Sequence, residues 1–480
     1  MTTDTSPMLA RIARLCHDVD TAAGPAVLPV IASILDSLAA PIRVAVVGRV
    51  NTGKSTLVNA LIERDVAPTR ATECTRVVTV YRRGTPHRAL MIRRDGSWFS
   101  LDFNTLRLPD TLPLPLSDID HVLVDLPQNA LTHLTLVDTP GLAVTAAHEE
   151  RTRQALLSQS PSADRETRFA DALLYLFDLT QHHDDVAFLN DLLDADVGFS
   201  SANIIGLLSR ADNFGDGPWG YRDPIDRAGE RAHTMATDLS ALVATVVPIS
   251  GLLAETASTG KLTNTDTRAL ADLDRIADTD LRAIALNAPP GTDPDTLARL
   301  VRLIGGYGIR HCRTLAHAGT PAVTDWLADR SGIAQLRSII HSRLTTRTHV
   351  LKASRALTQL RLAAPSVPAC PVIMNMIDQA KADPVLHPIA ELRALEDLKR
   401  SHPDNPARAV LEHLLSAADD RQRLDLPPTA SAAAIADEAL QRASRARADA
   451  AFLRNGAVAD ALHVISRSYS LIHRSWSPRR

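Results

Sequence analysis

Gly48, Gly53, Lys54 and Ser55 stand at the spacing G-x-x-x-x-G-K-S in the run Gly48-Arg49-Val50-Asn51-Thr52-Gly53-Lys54-Ser55-Thr56. The glycines let backbone N–H groups converge, the lysine supplies a positive charge, and the serine hydroxyl is a hard oxygen ligand. The oxygens of a nucleoside triphosphate and its Mg²⁺ require this set, and the spacing is that of a P-loop. Lys54 is therefore an expected catalytic cation and Ser55 an expected metal ligand. Gly48, Asn51, Thr52, Gly53, Lys54, Ser55 and Thr56 form the expected phosphate cradle.

Further along, Asp138-Thr139-Pro140-Gly141 follows the strand-like Leu134-Thr135-Leu136-Val137. An aspartate at that strand end can hold Mg²⁺ through water, and the Gly141 N–H can reach the γ-phosphate and register its loss. Thr75, in the loop between the P-loop helix and the strand Val77-Val78-Thr79-Val80-Tyr81, is the expected mobile hydroxyl that completes the Mg²⁺ shell. It is chosen over Thr72 because it directly precedes the strand. Ser209-Arg210-Ala211-Asp212 places a carboxylate where it can accept from the N1 and N2 donors of guanine, with the Arg210 stem lying over the base. Ser250-Gly251 falls where a loop must close over that base. The nucleotide expected is GTP or GDP.

These residues need a sheet edge to converge on. Ile42-Arg43-Val44-Ala45-Val46-Val47, directly before Gly48, reads as a buried strand. From there to about Glu255, β-branched runs alternate with helical segments, the pattern of an α/β protein whose sites lie at strand ends. Before it, Met8, Ile12, Leu15 and Val19, then Leu28, Ile31, Ile34, Leu35 and Leu38, recur at helical spacing. After Thr256 the chain is Ala/Leu/Arg-rich and helical, and one long helix is expected from Ser331 to Ala363. The division expected is N-terminal helices 1–40, a nucleotide domain 41–260 and a helical region 261–480.

Over 480 residues the net charge is −3 and only 4% are aromatic, so cores must rest on aliphatic side chains and nothing global favours nucleic acid. Cys16, Cys74, Cys312 and Cys370 have no metal or disulfide spacing, which fits a reducing cytoplasm. No signal peptide and no membrane-spanning run are read, so any membrane contact is expected to be peripheral.

With five motifs in order and a long interval between Ser55 and Asp138, the chain resembles a GTPase of the TRAFAC class, and within it a dynamin-type G domain. Gly53-Lys54-Ser55-Thr56-Leu57-Val58-Asn59-Ala60-Leu61, Ser209-Arg210-Ala211-Asp212 and Pro248-Ile249-Ser250-Gly251-Leu252-Leu253-Ala254 are similar to the actinobacterial isoniazid-inducible branch of dynamin-like GTPases. The resemblance implies an α/β P-loop GTPase domain with a mixed, mostly parallel sheet, joined to an α-helical neck and trunk. It implies Mg²⁺-dependent GTP hydrolysis, G-domain dimerisation, a paralogous dynamin-like partner, and work at the anionic inner face of the plasma membrane. Helices before Pro41 are expected to pack with those after the G domain.

Two positions depart from that pattern. Leu142 stands where Ras-like enzymes orient water with glutamine, and Val50 stands where dynamin has a P-loop glutamine. Asn51 occupies the position that ligates a cation in potassium-activated GTPases, so K⁺ or Na⁺ held by Asn51 is an expected aid to hydrolysis. The alternative is a slow or inactive nucleotide sensor that assembles with a more active paralogue; a ribosome- or RNA-associated GTPase ranks last. For membrane contact the candidates are the apolar stretch Pro365–Ile377 as a lipid-dipping tip, with a buried helix connection favoured over it, and the arginine-rich C-terminus.

Overall fold

Strand β1 (Ile42–Gly48) is buried along its whole length. Its side chains alternate between two cores: Ile42, Val44 and Val46 face one, Ala45 and Val47 the other. A strand that must be apolar on both faces belongs in the middle of a covered parallel sheet, and β1 lies there. The computed structural model describes residues 6–69, 76–141, 170–179, 183–195, 199–278, 294–453 and 455–477.

Eight further strands complete the sheet: β2 (Val78–Arg83), β3 (Arg88–Arg93), β4 (Trp98–Leu101), β5 (Ile119–Leu126), β6 (Leu134–Asp138), β7 (Ala172–Phe177), β8 (Ile204–Leu208) and β9 (Val246–Pro248). Their order is β4-β3-β5-β2-β6-β1-β7-β8-β9. The block β6-β1-β7-β8-β9 is wholly parallel, whereas β2 meets β6 antiparallel and β3 meets both β4 and β5 antiparallel. The expected mixed, mostly parallel sheet is present. The strand-like runs read between Ser55 and Asp138 are β3, β4 and β5, inserted on one side of the parallel block. Because that block runs one way, its strand ends, and the motifs that follow them, share one edge.

The N-terminal helices α1 (Pro7–Ala23) and α2 (Leu28–Ala39) bury Met8, Ile12, Leu15, Val19, Ile31 and Ile34 in the same core as the far C-terminal helices. Next come α3 (Lys54–Ile62), α4 (His183–Asp194), α5 (Pro224–Asp238), α6 (Gly251–Thr259) and α7 (Asn264–Asp272). Helices α8 (Pro294–Leu315) and α9 (Thr320–Arg330) share a third core with Leu253 of α6 and Leu270 of α7.

The long helix expected over Ser331–Ala363 is a near-continuous rod in pieces. α10 (Ile333–Ile339) runs into a π-helical turn, Ile340–Thr345, and α11 (Thr348–Ala363) follows. The inserted turn re-phases the apolar stripe, so that Leu336, Ile340 and Leu344 stay buried along with Leu351, Leu357 and Leu360. α1 and α2 pack on this rod, as the reading of residues before Pro41 anticipates. Lys352, buried in the junction, donates to the carbonyls of Ser37 and Ala40 at the end of α2.

Beyond the rod lie α12 (Cys370–Ala382), α13 (His387–Ser401), α14 (Ala407–Ser416), and the hairpin α15 (Ala432–Ala451) with α16 (Ala457–Trp476). The stretch Pro365–Ile377 leads from the rod into α12 with one side buried and the other exposed: Val367, Ile373 and Ile377 are core, whereas Pro365, Pro368, Pro371 and Val372 face outward. Ile373 and Ile377 on α12 are at most 1% exposed, because they form the stripe that packs on α1, and Arg11 of α1 pairs with Asp383 at 2.8 Å. No described helix is long and apolar enough to cross a membrane.

Candidate nucleotide site

The P-loop turns sharply from β1 into α3. Asn51 (φ 65°) and Gly53 (φ 92°) both lie in the left-handed region, the conformation that points successive N–H groups into one concavity. Gly48 is needed for a different reason: a Cβ there would stand 2.7 Å from the Leu176 carbonyl of neighbouring β7. Lys54, 8% exposed, folds back so that Nζ donates to the carbonyls of Gly48 (3.1 Å) and Arg49 (2.8 Å). The Thr52 hydroxyl also donates to Arg49, at 2.8 Å.

Two charges are buried side by side here. Burial pushes the Lys54 ammonium down to about 8, against the pull of Asp138, and pushes the Asp138 carboxyl up to about 6. Ser55 Oγ donates to Asp138 Oδ2 at 2.9 Å, while Asp138 Oδ1 is buried without a hydrogen-bond partner among the described residues. A serine oxygen beside an unsatisfied buried carboxylate oxygen is a hard donor set, and it fits a Mg²⁺ ion held by Ser55 and, directly or through water, by Asp138. Bound there, Mg²⁺ would neutralise charge on the β- and γ-phosphate oxygens.

Gly141 presses against the P-loop, where a Cβ on it would meet Val50 Cγ2 at 2.5 Å. Any larger residue at 141 would displace the cradle. Thr139 locks the preceding turn by donating to the Val46 carbonyl at 2.8 Å. Thr75, with its alternative Thr72, lies outside the described residues.

The Ser209–Asp212 motif lies beside the cradle, at the end of β8. Arg210 takes a left-handed backbone (φ 54°) that sends its guanidinium back to the P-loop, where it donates to the Asn51 carbonyl. Its other nitrogen lies 3.8 Å from Asp178 at the end of β7. Asp212 is 3% exposed, and its burial raises the carboxyl pKa; the Ser250 hydroxyl, donating to it, and the charge of Arg210 pull the other way. Ser250 in turn caps α6, accepting from Leu253 N. Gly251 brings α6 against α3, its Cβ position 3.6 Å from Thr56. Thus Gly48, Asn51, Thr52, Gly53, Lys54, Ser55, Thr56, Asp138, Gly141, Arg210, Asp212, Ser250 and Gly251 share one end of the sheet.

Against known proteins, a family model described as 50S ribosome-binding GTPase matches residues 43–204. The isoniazid-induced protein IniC of Mycobacterium tuberculosis is 34% identical over 384 residues, covering 75% of this chain and 74% of IniC. The chain belongs to the dynamin-like GTPase family. A bacterial dynamin-like protein of Nostoc punctiforme is 32% identical over 122 residues, 22% of this chain and 18% of that one. Among solved structures, a chain from an oligomerised bacterial dynamin pair, described as sensing and tethering membranes, aligns over 99% of this chain and 91% of its own, at 12% identity and a TM-score of 0.39.

Beside the candidate site of this dynamin-like GTPase stand residues that the sequence motifs do not mark. Asp178 is one; it follows the buried run Ala172–Phe177, and a strand-end acid is the signal that could have found it. Gly305 breaks α8 with φ 61°, and its Cβ position lies 3.7 Å from Asp212 Oδ2. Nothing local in the sequence links it to the site. Asn59 on α3, fully buried, accepts from Val66 and Ala67 N–H and donates to Glu255 of α6 at 2.7 Å, tying the P-loop helix to the chain entering the Thr75 loop.

Proposed function

We propose that the chain binds GTP with Mg²⁺ and hydrolyses it. We further propose that the change at the γ-phosphate, registered by Gly141 and Thr75, moves the helical region against the nucleotide domain at a membrane surface. The observation that carries the nucleotide part is the Arg210 guanidinium on the Asn51 carbonyl. It joins the base-reading loop to the phosphate cradle, so one ligand with a guanine at one end and phosphates at the other spans both. Arginine serves where a lysine is usual because its fork can serve Asn51 and Asp178 together.

In this reading Lys54 lies along the phosphates and offsets their charge, Ser55 and Asp138 hold the metal, and Asp212 accepts from the base. Leu142 cannot orient water, so charge is neutralised at the transition state by K⁺ or Na⁺ near Asn51. Residues 1–40 and 261–480 form the moving helical part, and 41–260 the motor. Dimerisation through the G domain and pairing with a paralogous dynamin-like protein belong to the same reading and rest on family membership.

For the membrane contact, the reading is supported by the tip of the α15–α16 hairpin. Phe452 is 89% and Leu453 44% exposed there, with the exposed arginines Arg445 and Arg447 one to two turns back. Apolar side chains at a helix-hairpin tip behind a basic collar suit peripheral insertion into an anionic leaflet. This would put the protein on the cytoplasmic face of the plasma membrane.

The deciding experiment is a GTP turnover assay on the purified chain over a range of protein concentrations, with Lys54→Ala as control. Turnover that depends on Lys54 and rises per molecule with concentration is expected. Tight GTP binding with no Lys54-dependent turnover would leave the slow structural partner as the correct reading.

A further inference from the structure

A cavity of about 450 Å³ opens between the segment that leads into β8 and the helices α11 and α13. It lies at the start of β8, the opposite end of that strand from the Ser209–Asp212 motif, and the function proposed above makes no use of it. Its walls differ in character. Phe199, Leu351 and Leu392 are apolar and at most 6% exposed, whereas Arg361 on α11 and Arg393 on α13 are exposed and half-buried respectively. Thr358 and Ser354 lie one and two turns before Arg361 on the same face of α11, adding two hydroxyls to the lining.

Among the described residues neither guanidinium has an ion-pair partner within 4 Å, although the charge of Arg393 acts on Glu396 and that of Arg361 on Asp378. A guanidinium's planar fork matches phosphate geometry, and two on separate helices match a dianion. A phosphomonoester carries nearly two charges at pH 7, whereas a carboxylate would leave one guanidinium unmatched. Glu396 of α13 also lines the cavity and hydrogen-bonds to Ser200; burial pushes its carboxyl up to about 7, against the pull of that hydrogen bond and of Arg393.

We propose that this cavity binds an amphipathic phosphomonoester, with its apolar part against Phe199, Leu351 and Leu392 and its head between Arg361 and Arg393. The occupant would bridge the rod to the strand that ends in the base-reading motif, and so hold the helical part in its present packing. The ligand chemistry has two sources, a single-chain lipid phosphate or a soluble aromatic or aliphatic phosphate.

The test is calorimetric titration of the full-length chain with its P-loop saturated by GDP and Mg²⁺, using octanoyl lysophosphatidic acid in one arm and 1-naphthyl phosphate in the other. Saturable binding of at least one probe is expected, and the tighter one identifies the source. Arg361→Gln, at an exposed position, should weaken it about tenfold or more. Thr358→Trp, which fills the cavity, should abolish it, with GDP affinity unchanged in both variants. No saturable binding of either probe, or binding that survives Arg361→Gln undiminished, would overturn the proposal. If Thr358→Trp does not fold, the Arg361→Gln titration decides alone.

Discussion

The backbone N–H of Ser250 donates to the carbonyl of Ser331 at 2.9 Å, joining the Ser250–Gly251 loop to the turn that leads into the helical rod. One residue further on, Gly332 (φ 82°) lets the rod approach β9 so closely that a Cβ would sit 2.5 Å from the Pro248 carbonyl. A shift of the Ser250–Gly251 loop therefore has a direct, short-range route into α10.

Gly332→Ala should consequently cost more than backbone strain alone. Gly260→Ala, at a similar left-handed φ of 68° but with open space around it, is expected to cost about 1 kcal/mol. The Gly332 variant adds a backbone collision and should lose about 2–4 kcal/mol, read as a lower urea midpoint. Equal midpoints for the two variants would remove the close-approach argument.

In the proposed reading, guanine recognition rests on the Asp212 carboxylate. Asp212→Asn loses charge-assisted acceptance from the base, and GTP affinity should fall roughly 100-fold, about 3 kcal/mol. Xanthine carries an oxygen where guanine carries its 2-amino group, so the new amide can donate to it and XTP affinity should rise. Competition of each triphosphate against a fluorescent GDP analogue measures both changes; an Asn variant that keeps its GTP preference would mean the base is read elsewhere.

Asp138 supplies a pH signature in the nucleotide-free protein. Its carboxyl pKa is raised from 3.8 to about 6, so the folded state holds the proton more tightly than the unfolded chain does. The resulting stabilisation is full below about 3.8 and is lost as pH rises through about 6. Asp138→Asn carries no such titration, so its stability relative to the wild type should increase from pH 4 to pH 7 by up to about 3 kcal/mol. Urea melts at the two pH values test this, and parallel pH profiles would contradict it. The same variant should lose the Mg²⁺ dependence of nucleotide binding.

If a monovalent cation near Asn51 assists hydrolysis, GTP turnover should be about tenfold or more faster in K⁺ than in Li⁺, and Asn51→Ala should erase the difference. Equal rates in the two salts would eliminate the cation. Asn51 would then be a loop residue whose left-handed backbone and carbonyl, rather than its side chain, are its contribution.

Membrane contact through the α15–α16 tip can be checked by liposome flotation. The double change Phe452→Asp with Leu453→Asp removes two side chains worth roughly 1.5–3 kcal/mol each when buried in lipid, so flotation with anionic vesicles should be lost. Val372→Asp, on the exposed side of α12, should leave it intact. The reverse pattern would return the contact to the Pro365–Ile377 region.

Most of the nucleotide site was legible in the chain because each motif is a short contiguous run attached to the end of a buried strand. Lys54, Ser55, Asp138 and Asp212 lie close to strands whose apolar patterns are unmistakable, and parallel strands bring their ends to one edge. The rod's apolar period is regular enough to predict one helix, and the π-turn at Ile340–Thr345 leaves no mark in that period.

The sequence by itself determined the candidate phosphate cradle, the candidate metal pair and the α/β order, since these depend on residue type and spacing over a few positions. Tertiary structure alone decided what depends on approach between distant segments. It set Gly305 beside Asp212, Gly332 under the Pro248 carbonyl, and Asp178 near Arg210. It also decided that Ile373 is core while Phe452 is surface. All are apolar or small residues, or acids, of ordinary local context. Their roles arise from neighbours tens to hundreds of positions away, and packing is where those neighbours are chosen.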